Sequence, residues 1–574
     1  MTSGPEDEFD QVVAGSPSGI APKAPPIEAH HAPALGAIPD GEDFDREQPA
    51  SERQAVDLRI DRWWGRVLAD PVRFRLWYWG GPLAVTLLGA VLRLWNLGHP
   101  RALVFDETFY VKDAWSLIHL GYEGSWPAEA DASFVTGHVD IFTSVGGYVV
   151  HPPIGKWLIG LGMAAFGGDN SVGWRISTAI VGILAVFVVA MIARELFKST
   201  LLATIAGGLM AIDGGAIVMS RVSLLDNFLM FFALLGFWAI LKDRQQSAGR
   251  LALWMTQRAK RGLHTDWGPA LWWRPWLITA GLIFGLSAAI KWNGAYFLAA
   301  FAIYTLVVDA VARRRAGITL WASGTAFKQG PTSFLLAVPI AVAAYLASWT
   351  GWFVTNGGYG RHWADTAGNA LTGTFAWIPH SLQSFWHYQV MAYDFNVGLH
   401  TAHPYAANPL GWLLMIRPTS MYYVGSSHGE NGCSSSHCGA AITDISNPLI
   451  WWAAVAAAIY LLYRLVRWRE WRAGLILTGI AAGYLPWMLY LDRTVFQFYT
   501  IAFEPYLMLA LTAVIGHILG SRHDPGWRRL SGIRLVAIFL GFAVLLSAFW
   551  YPMWTAQQEP DWFVYLHYWL RSWI

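Results

Sequence analysis

Runs of about twenty apolar residues recur along the chain, separated by short polar stretches. A helix crosses the hydrocarbon of a bilayer in roughly 20 residues, so each run is expected to span a membrane. About eleven such spans are read. Six run roughly from Leu76 to Leu97, Val172 to Ala193, Leu201 to Gly215, Leu224 to Leu241, Pro275 to Ile290 and Gly294 to Val311. Five more run from Ser333 to Phe353, Pro448 to Leu465, Gly474 to Leu491, Phe496 to Leu519 and Leu535 to Trp554. A further apolar stretch, Ile154 to Gly168, is short, opens on Pro-Pro and carries Lys156. It reads as a re-entrant or interfacial helix. The fold class expected is an all-α polytopic membrane protein.

The polar segments order the rest. Residues 1–60 are rich in Pro, Ala, Gly and acids and lack apolar periodicity, so a disordered cytoplasmic tail is expected. No basic stretch followed by an apolar core opens the chain, and no cleavable signal peptide is expected. The basic segment Arg59 to Arg75 precedes the first span and places the N-terminus in the cytoplasm by the positive-inside rule. With Ile154 to Gly168 excluded as a span, the N-terminus and five loops fall on the cytoplasmic side. They are Arg194 to Lys198, Lys242 to Arg274, Arg313 to Lys328, Arg464 to Arg472 and Arg522 to Arg534, and with the N-terminus they hold 29 of the 40 Lys and Arg residues. Counting the short stretch as a span would reverse most of the later basic loops. The odd count puts two large loops, 98–171 and 354–447, and the C-terminal segment 555–574 outside.

Composition agrees. The chain has 574 residues, 55% hydrophobic and 14% charged, against roughly 25% charged in a soluble domain. Mean hydropathy is +0.35. The 34 Trp residues suit the interfacial belts of a membrane protein. A net charge of +2, without a basic stripe interleaved with aromatics, excludes nucleic acid as the expected partner. No Gly-rich phosphate loop follows a strand, so nucleotide-sugar use is not expected.

This topology gathers the unusual polar residues on the outer face. The first outer loop holds Asp106, Glu107, Asp113, His151 and Lys156. The next outer turn, IDGGAIVMSRVSLLDN, holds Asp213, Arg221 and Asp226; Lys291 and Asn293 interrupt AIKWNGAY. The stretch LDRTVFQFYTIAFEPY adds Asp492, Arg493 and Glu504. Ionisable groups in or beside spans cost several kcal/mol unless paired or hydrated, so they are functional candidates by default, with helix-joining ion pairs as the alternative.

These residues resemble a family. FDETFYV after the first span, VHPPIGKW at the end of the loop and GWRISTAIVGIL opening the second span are similar to protein O-mannosyltransferases of the bacterial, actinobacterial branch. MSRVSLLDNFLMFF, GLSAAIKWNGAYF, SLQSFWHY and LLMIRPTSMYY add to the likeness, which covers about Leu76 to Tyr551. The resemblance implies a membrane-embedded GT-C glycosyltransferase fold over 76–554. It also implies a polyprenyl-phosphate-mannose donor and Ser/Thr hydroxyls of exported proteins as acceptors, met at the outer face near the secretion translocon. It implies metal independence and no cofactor. The β-trefoil insert of eukaryotic members has no room in the large outer loop.

The implied reaction has three chemical needs. A base must take the hydroxyl proton. Cations must stabilise the leaving phosphate. An apolar groove must hold the lipid. The family's acidic motif maps onto Asp106 and Glu107, which makes Asp106 the base candidate and Glu107 a sugar or acceptor contact, or the residue that keeps Asp106 ionised. Both could instead cap the following helix. Arg175, Arg221, Lys291 and Arg493 are candidate phosphate partners; Arg175 and Lys291 match the family's arginine and lysine, and either could pair with Asp213 or Asp226 instead. His151 and His387 are candidate sugar or phosphate ligands or plain loop hydrogen-bonders. The only cysteines, Cys433 and Cys438, lie in the large outer loop four residues apart. A disulfide is expected on the oxidising side. A zinc site with His428 and His437, or two free thiols, are the other readings. A transporter is the rival class, but no repeated halves are seen. A related transferase moving another polyprenyl-linked sugar to a lipid or cell-wall glycan is the enzyme alternative.

Overall fold

A computed structural model describes residues 58–574 apart from 522. The expected tail therefore lies outside the described residues as far as residue 57. The helices are α1 (Arg59–Leu68), α2 (Pro71–Leu94), α3 (Glu107–Leu120), α4 (Ala130–Val135), α5 (Ile154–Phe166), α6 (Ser171–Phe197), α7 (Thr200–Ile212), α8 (Gly214–Arg221), α9 (Leu225–Lys260) and α10 (Pro275–Ala288). They continue as α11 (Gly294–Arg315), α12 (Trp321–Gly324), α13 (Gly330–Ser348), α14 (Thr350–Val354), α15 (His380–Val397), α16 (Pro448–Trp468), α17 (Trp471–Tyr484), α18 (Glu504–Leu519), α19 (Gly526–Trp554) and α20 (Asp561–Leu566).

Local chemistry sets the starts. Asp70, Asn170, Ser199, Asp213 and Asn447 each accept a main-chain N–H of the helix that follows, satisfying donors that have no partner within the helix. Pro71 and Pro448 occupy first helical positions, where a missing N–H costs nothing. Inside the bundle, Gly281 and Gly285 of α10 face α13 so closely that a Cβ would sit 2.5 Å and 2.4 Å from the carbonyl oxygens of Ala337 and Ala341. Small residues one turn apart let two membrane helices touch main chain to main chain. At the opposite end, Arg274 is buried between Asp243 of α9 and Asp309 of α11, tying three helices together.

Among the described residues, six helices are long and apolar enough to cross a membrane, or seven if α7 and α8 count as one span bent by 59°. Apolar windows of α6 and α9 are 61% and 72% buried, against 22% for α11 and α19, so α6 and α9 form the centre of the bundle. Helices α5, α10 and α18 are apolar but shorter. The protein is multi-pass. Each expected span overlaps a helix, though α18 starts only at Glu504 and α19 already at Gly526, and three further boundaries differ for local reasons. The chain breaks at Asp213, whose carboxylate caps α8, so the expected turn after Gly215 is a second helix. Helix α9 runs on to Lys260, because the polar residues past the membrane edge are good helix formers. Helix α17 stops at Tyr484, just before Pro486.

The expectation of an all-α chain needs correction. The long segment 354–447 contains a hairpin, β1 (Thr419–Ser427) and β2 (His437–Asp444), to which β3 (Gln558–Pro560) of the C-terminal segment adds antiparallel on the β2 side. Thr, Tyr and Val favour strands, and the sheet packs one face on the helices. Cys433 and Cys438 are joined by a disulfide across the hairpin loop, their Cα atoms 5.8 Å apart. The C-terminal residues pack on the same long segment: the Trp573 indole donates to the Met415 carbonyl at 2.7 Å, and Arg417 donates to the Ser572 carbonyl.

Candidate active site

Helix α3 begins at Glu107, directly after Asp106, and the two carboxylates meet different surroundings. Glu107 is fully buried. Each of its oxygens accepts one guanidinium N–H and one main-chain N–H. Oε1 takes Arg175 Nε and the Ser223 amide, and Oε2 takes Arg175 Nη2 and the Val104 amide, all at 2.8 Å. Arg175 spends its remaining donors on the carbonyls of Leu97, Pro100 and Ala102. The pair thus locks the start of α3, the end of the first span and the α8–α9 turn into one unit.

Asp106 makes no capping bond to α3 and is half-buried, with Tyr110 one turn on as a neighbour. Burial pushes its carboxyl up to about 6; Lys291 opposes that shift and Asp226 adds to it. Lys291 and Asp226 are therefore its electrostatic neighbours. Lys291 is buried, bonded to both Asp226 oxygens at 2.9 and 3.1 Å, and its ammonium lies 4.0 Å from the centre of the Tyr499 ring.

Lys291 also forms a wall of a cleft of about 570 Å³, counting the open space at its mouth. Trp292, Asn293 and Tyr296 continue that wall, and Tyr393 and Asn396 come from α15. Trp487, Tyr490 and Arg493 close the far side, and His151 borders it from the loop before α5. Arg493 is held by the Asn396 carbonyl and side chain and lies over Trp487. Burial, then the cations Lys291, Lys156 and Arg493, hold the His151 imidazole well below its ordinary value, so it is neutral. The cleft thus pairs two cations with a ring of aromatics, a setting for an anionic headgroup on an apolar body. Beside it, Lys156 and Glu123 form a buried ion pair, and burial raises the nearby Asp113 carboxyl to about 7.

Of the residues singled out in the sequence, Lys291, Asn293, Arg493 and His151 line this cleft, and Asp106 lies within the field of Lys291 without lining the cleft. Four others are committed elsewhere. Arg175 has all its donors engaged by Glu107 and main-chain carbonyls. Arg221 donates to the carbonyls of Leu92, Arg93, Trp95 and Asn96, capping the C-terminal end of α2, so its charge serves the helix end and not the cleft. His387 stacks on Trp363, 3.9 Å between ring centres. Asp213 caps α8 and accepts the Asn447 amide. Sequence reasoning missed Tyr296, Tyr393, Asn396, Trp487 and Tyr490; the aromatic density of LPWMLYLDR is the signal that was there to use. Among the described residues, no group of three or more His, Cys, Asp or Glu side chains is placed to hold a metal ion.

Comparison with known proteins follows the same lines. A family profile described as dolichyl-phosphate-mannose-protein mannosyltransferase matches residues 83–259. A second, the C-terminal four-transmembrane region of protein O-mannosyltransferase, matches residues 381–573. The chain is 34% identical to the polyprenol-phosphate-mannose–protein mannosyltransferase of Mycolicibacterium smegmatis, over 86% of this chain and 93% of that one. Its counterpart in Mycobacterium tuberculosis is 33% identical over 87% and 92%. In fold, the chain is similar to the Saccharomyces cerevisiae protein O-mannosyltransferase Pmt1–Pmt2 complex bound to the sugar donor. The TM-score there is 0.63 at 15% identity, over 87% of this chain and 92% of that one.

Proposed function

This chain belongs to the protein O-mannosyltransferase family, a membrane-embedded glycosyltransferase of GT-C fold, and on that premise we propose the following reaction for it. Mannose passes from polyprenyl-phosphate mannose to the hydroxyl of a Ser or Thr in an exported protein. The hydroxyl oxygen bonds to the anomeric carbon, the bond from that carbon to the phosphate oxygen breaks, and polyprenyl phosphate leaves. The hydroxyl proton goes to the Asp106 carboxylate.

The observation that carries this reading is the contrast between adjacent carboxylates. Glu107 has every lone-pair direction engaged by protein donors, while Asp106 is only half-buried and lies in the field of Lys291, which lines the cationic cleft. A base lifted to about 6 remains ionised at neutral pH yet is more basic than a free carboxylate, which suits proton abstraction. Lys291 and Arg493 supply positive charge for the leaving phosphate, and His151, neutral, offers a hydrogen bond to phosphate or sugar. Glu107 and Arg175 serve as the scaffold that fixes Asp106.

The site faces the outside in this proposal, with the N-terminus in the cytoplasm, eleven spans and the C-terminal segment outside. Two contacts support the sidedness. The C-terminal residues dock on the large outer loop, and Asp61 of α1 pairs with Arg529 near the start of α19, at the cytoplasmic end. Acceptors in transit from the secretion translocon would reach this face unfolded.

The test is transfer by the purified full chain in lipid. Incubation with polyprenyl-phosphate mannose and a Ser/Thr-rich peptide should add hexose to a peptide hydroxyl, read by mass spectrometry. A peptide left unmodified while a lipid or glycan acceptor takes the sugar would overturn the reading.

A further inference from the structure

The sheet in the large outer loop has one edge that is open over part of its length. Strand β1 pairs with β2 along Thr419–Ser427, and β3 adds on the far side of β2, leaving β1 outermost. Among the described residues, no main-chain group of 419–427 bonds to main chain outside the hairpin. The one side-chain bond to that main chain comes from Glu430, which accepts the Ser427 amide near the turn. Gly425 is exposed, and as a glycine it is almost all main chain, so the peptide groups themselves face solvent. Tyr423 and Val424 beside it are exposed as well, at 54% and 37%. Proteins blunt open strand edges with charges, proline or short length. The strand is nine residues long, exposed over Tyr423–Gly425, and carries no charge and no proline.

The edge leads back to the carboxylate. Tyr422 lies close enough to Arg175 for the guanidinium to act on its phenol. The segment before β1 runs past Arg417, which lies 4.8 Å from the Tyr405 ring centre, to His403. His403 packs edge-on against Phe105, the neighbour of Asp106, at 5.8 Å.

We propose that the open edge of β1 takes the main chain of an extended acceptor segment as an added strand and leads it toward Asp106. What is unpaired here is main chain, so the occupant must offer main-chain donors and acceptors in extended form. A Ser/Thr-rich polypeptide that has not folded does so; a lipid or a glycan does not. Pairing through the backbone gives affinity without demanding a sequence, and side chains of alternate residues contact the rim. Thr419 and Met421 are buried, so the free stretch is Tyr422–Gly425, and four added residues opposite it would span roughly 13 Å. This inference rests on the chain being a protein mannosyltransferase.

The experiment is an N-methyl scan of the peptide acceptor with the full chain in lipid. Each variant carries one N-methyl amide, and kcat and KM are measured separately. Methylation several residues from the accepting hydroxyl should raise KM about tenfold with a period of two, at unchanged kcat, since each lost main-chain bond and the methyl clash cost on the order of 1.4 kcal/mol. In parallel, amides of 422–425 should gain hydrogen-exchange protection when unmethylated peptide is added. A flat KM profile with efficient transfer to every peptide would overturn the edge pairing and leave the reaction intact. No transfer even to unmethylated peptide would sink the reaction itself. Protection that appears without peptide and grows with protein concentration would assign the edge to a second copy of the chain and overturn the proposal.

Discussion

Replacing Glu107 with Gln should destabilise the protein rather than abolish chemistry alone. The carboxylate accepts four hydrogen bonds, one guanidinium and one main-chain donor on each oxygen. A Gln side chain offers one oxygen. It satisfies one such set and turns an NH₂ toward the other, stranding an Arg175 N–H and an amide of Val104 or Ser223. Each buried donor left unsatisfied costs about 1–3 kcal/mol. The buried Arg175 also loses its counter-charge, and breaking a buried ion pair costs about 3–5 kcal/mol in all. The assay is thermal unfolding of detergent-solubilised protein followed by size-exclusion chromatography, with transfer activity measured on the surviving monodisperse fraction. Glu107→Gln should melt well below the parent, whereas Asp106→Asn should melt with it. A Glu107→Gln protein with unchanged stability and abolished transfer would refute the scaffold assignment and return Glu107 to the chemistry.

Other consequences are as direct. Because burial raises the Asp106 carboxyl to about 6 and the base must be ionised, kcat/KM should fall as pH drops through about 6 and be flat above it; a profile unchanged down to pH 5 would contradict this. Lys291→Met should lower kcat/KM for the donor about 100-fold, the loss of one charge-assisted bond, and adding Asp226→Asn should restore stability but not transfer. Donor use unaffected by either change would remove Lys291 from the phosphate site. A reporter fused after Ile574 should be active outside, and one placed after Lys260 active inside; the reverse pattern would mean that α5 spans.

The chain's apolar periodicity made the membrane class and the positions of the helices legible, because span length is a property of the bilayer. Helix breaks were less legible: the kink at Asp213 depends on a cap that any Asp could make or decline. The acidic pair was visible as a pair, but its division of labour was not. Whether Asp106 or Glu107 meets Arg175 depends on which way α3 starts, and that is set by carbonyls at 97, 100 and 102 and an amide at 223, far apart in sequence. Arg175 and Arg221 look alike on paper as cations beside a span. Only folding shows that both end on main-chain carbonyls. The cleft's aromatics come from three separate stretches, so no local pattern marks them. The sheet escaped notice because its strands sit amid Gly and Ser, and β3 lies over a hundred residues from its partner.

Asp106→Asn keeps the shape of the side chain and removes the basic oxygen. Purified, shown to be monodisperse and as heat-stable as the parent, it should transfer mannose to peptide on the order of 10²–10⁴ times more slowly. Transfer by the stable Asp106→Asn protein at close to the parent rate would contradict the assignment of Asp106 as the base.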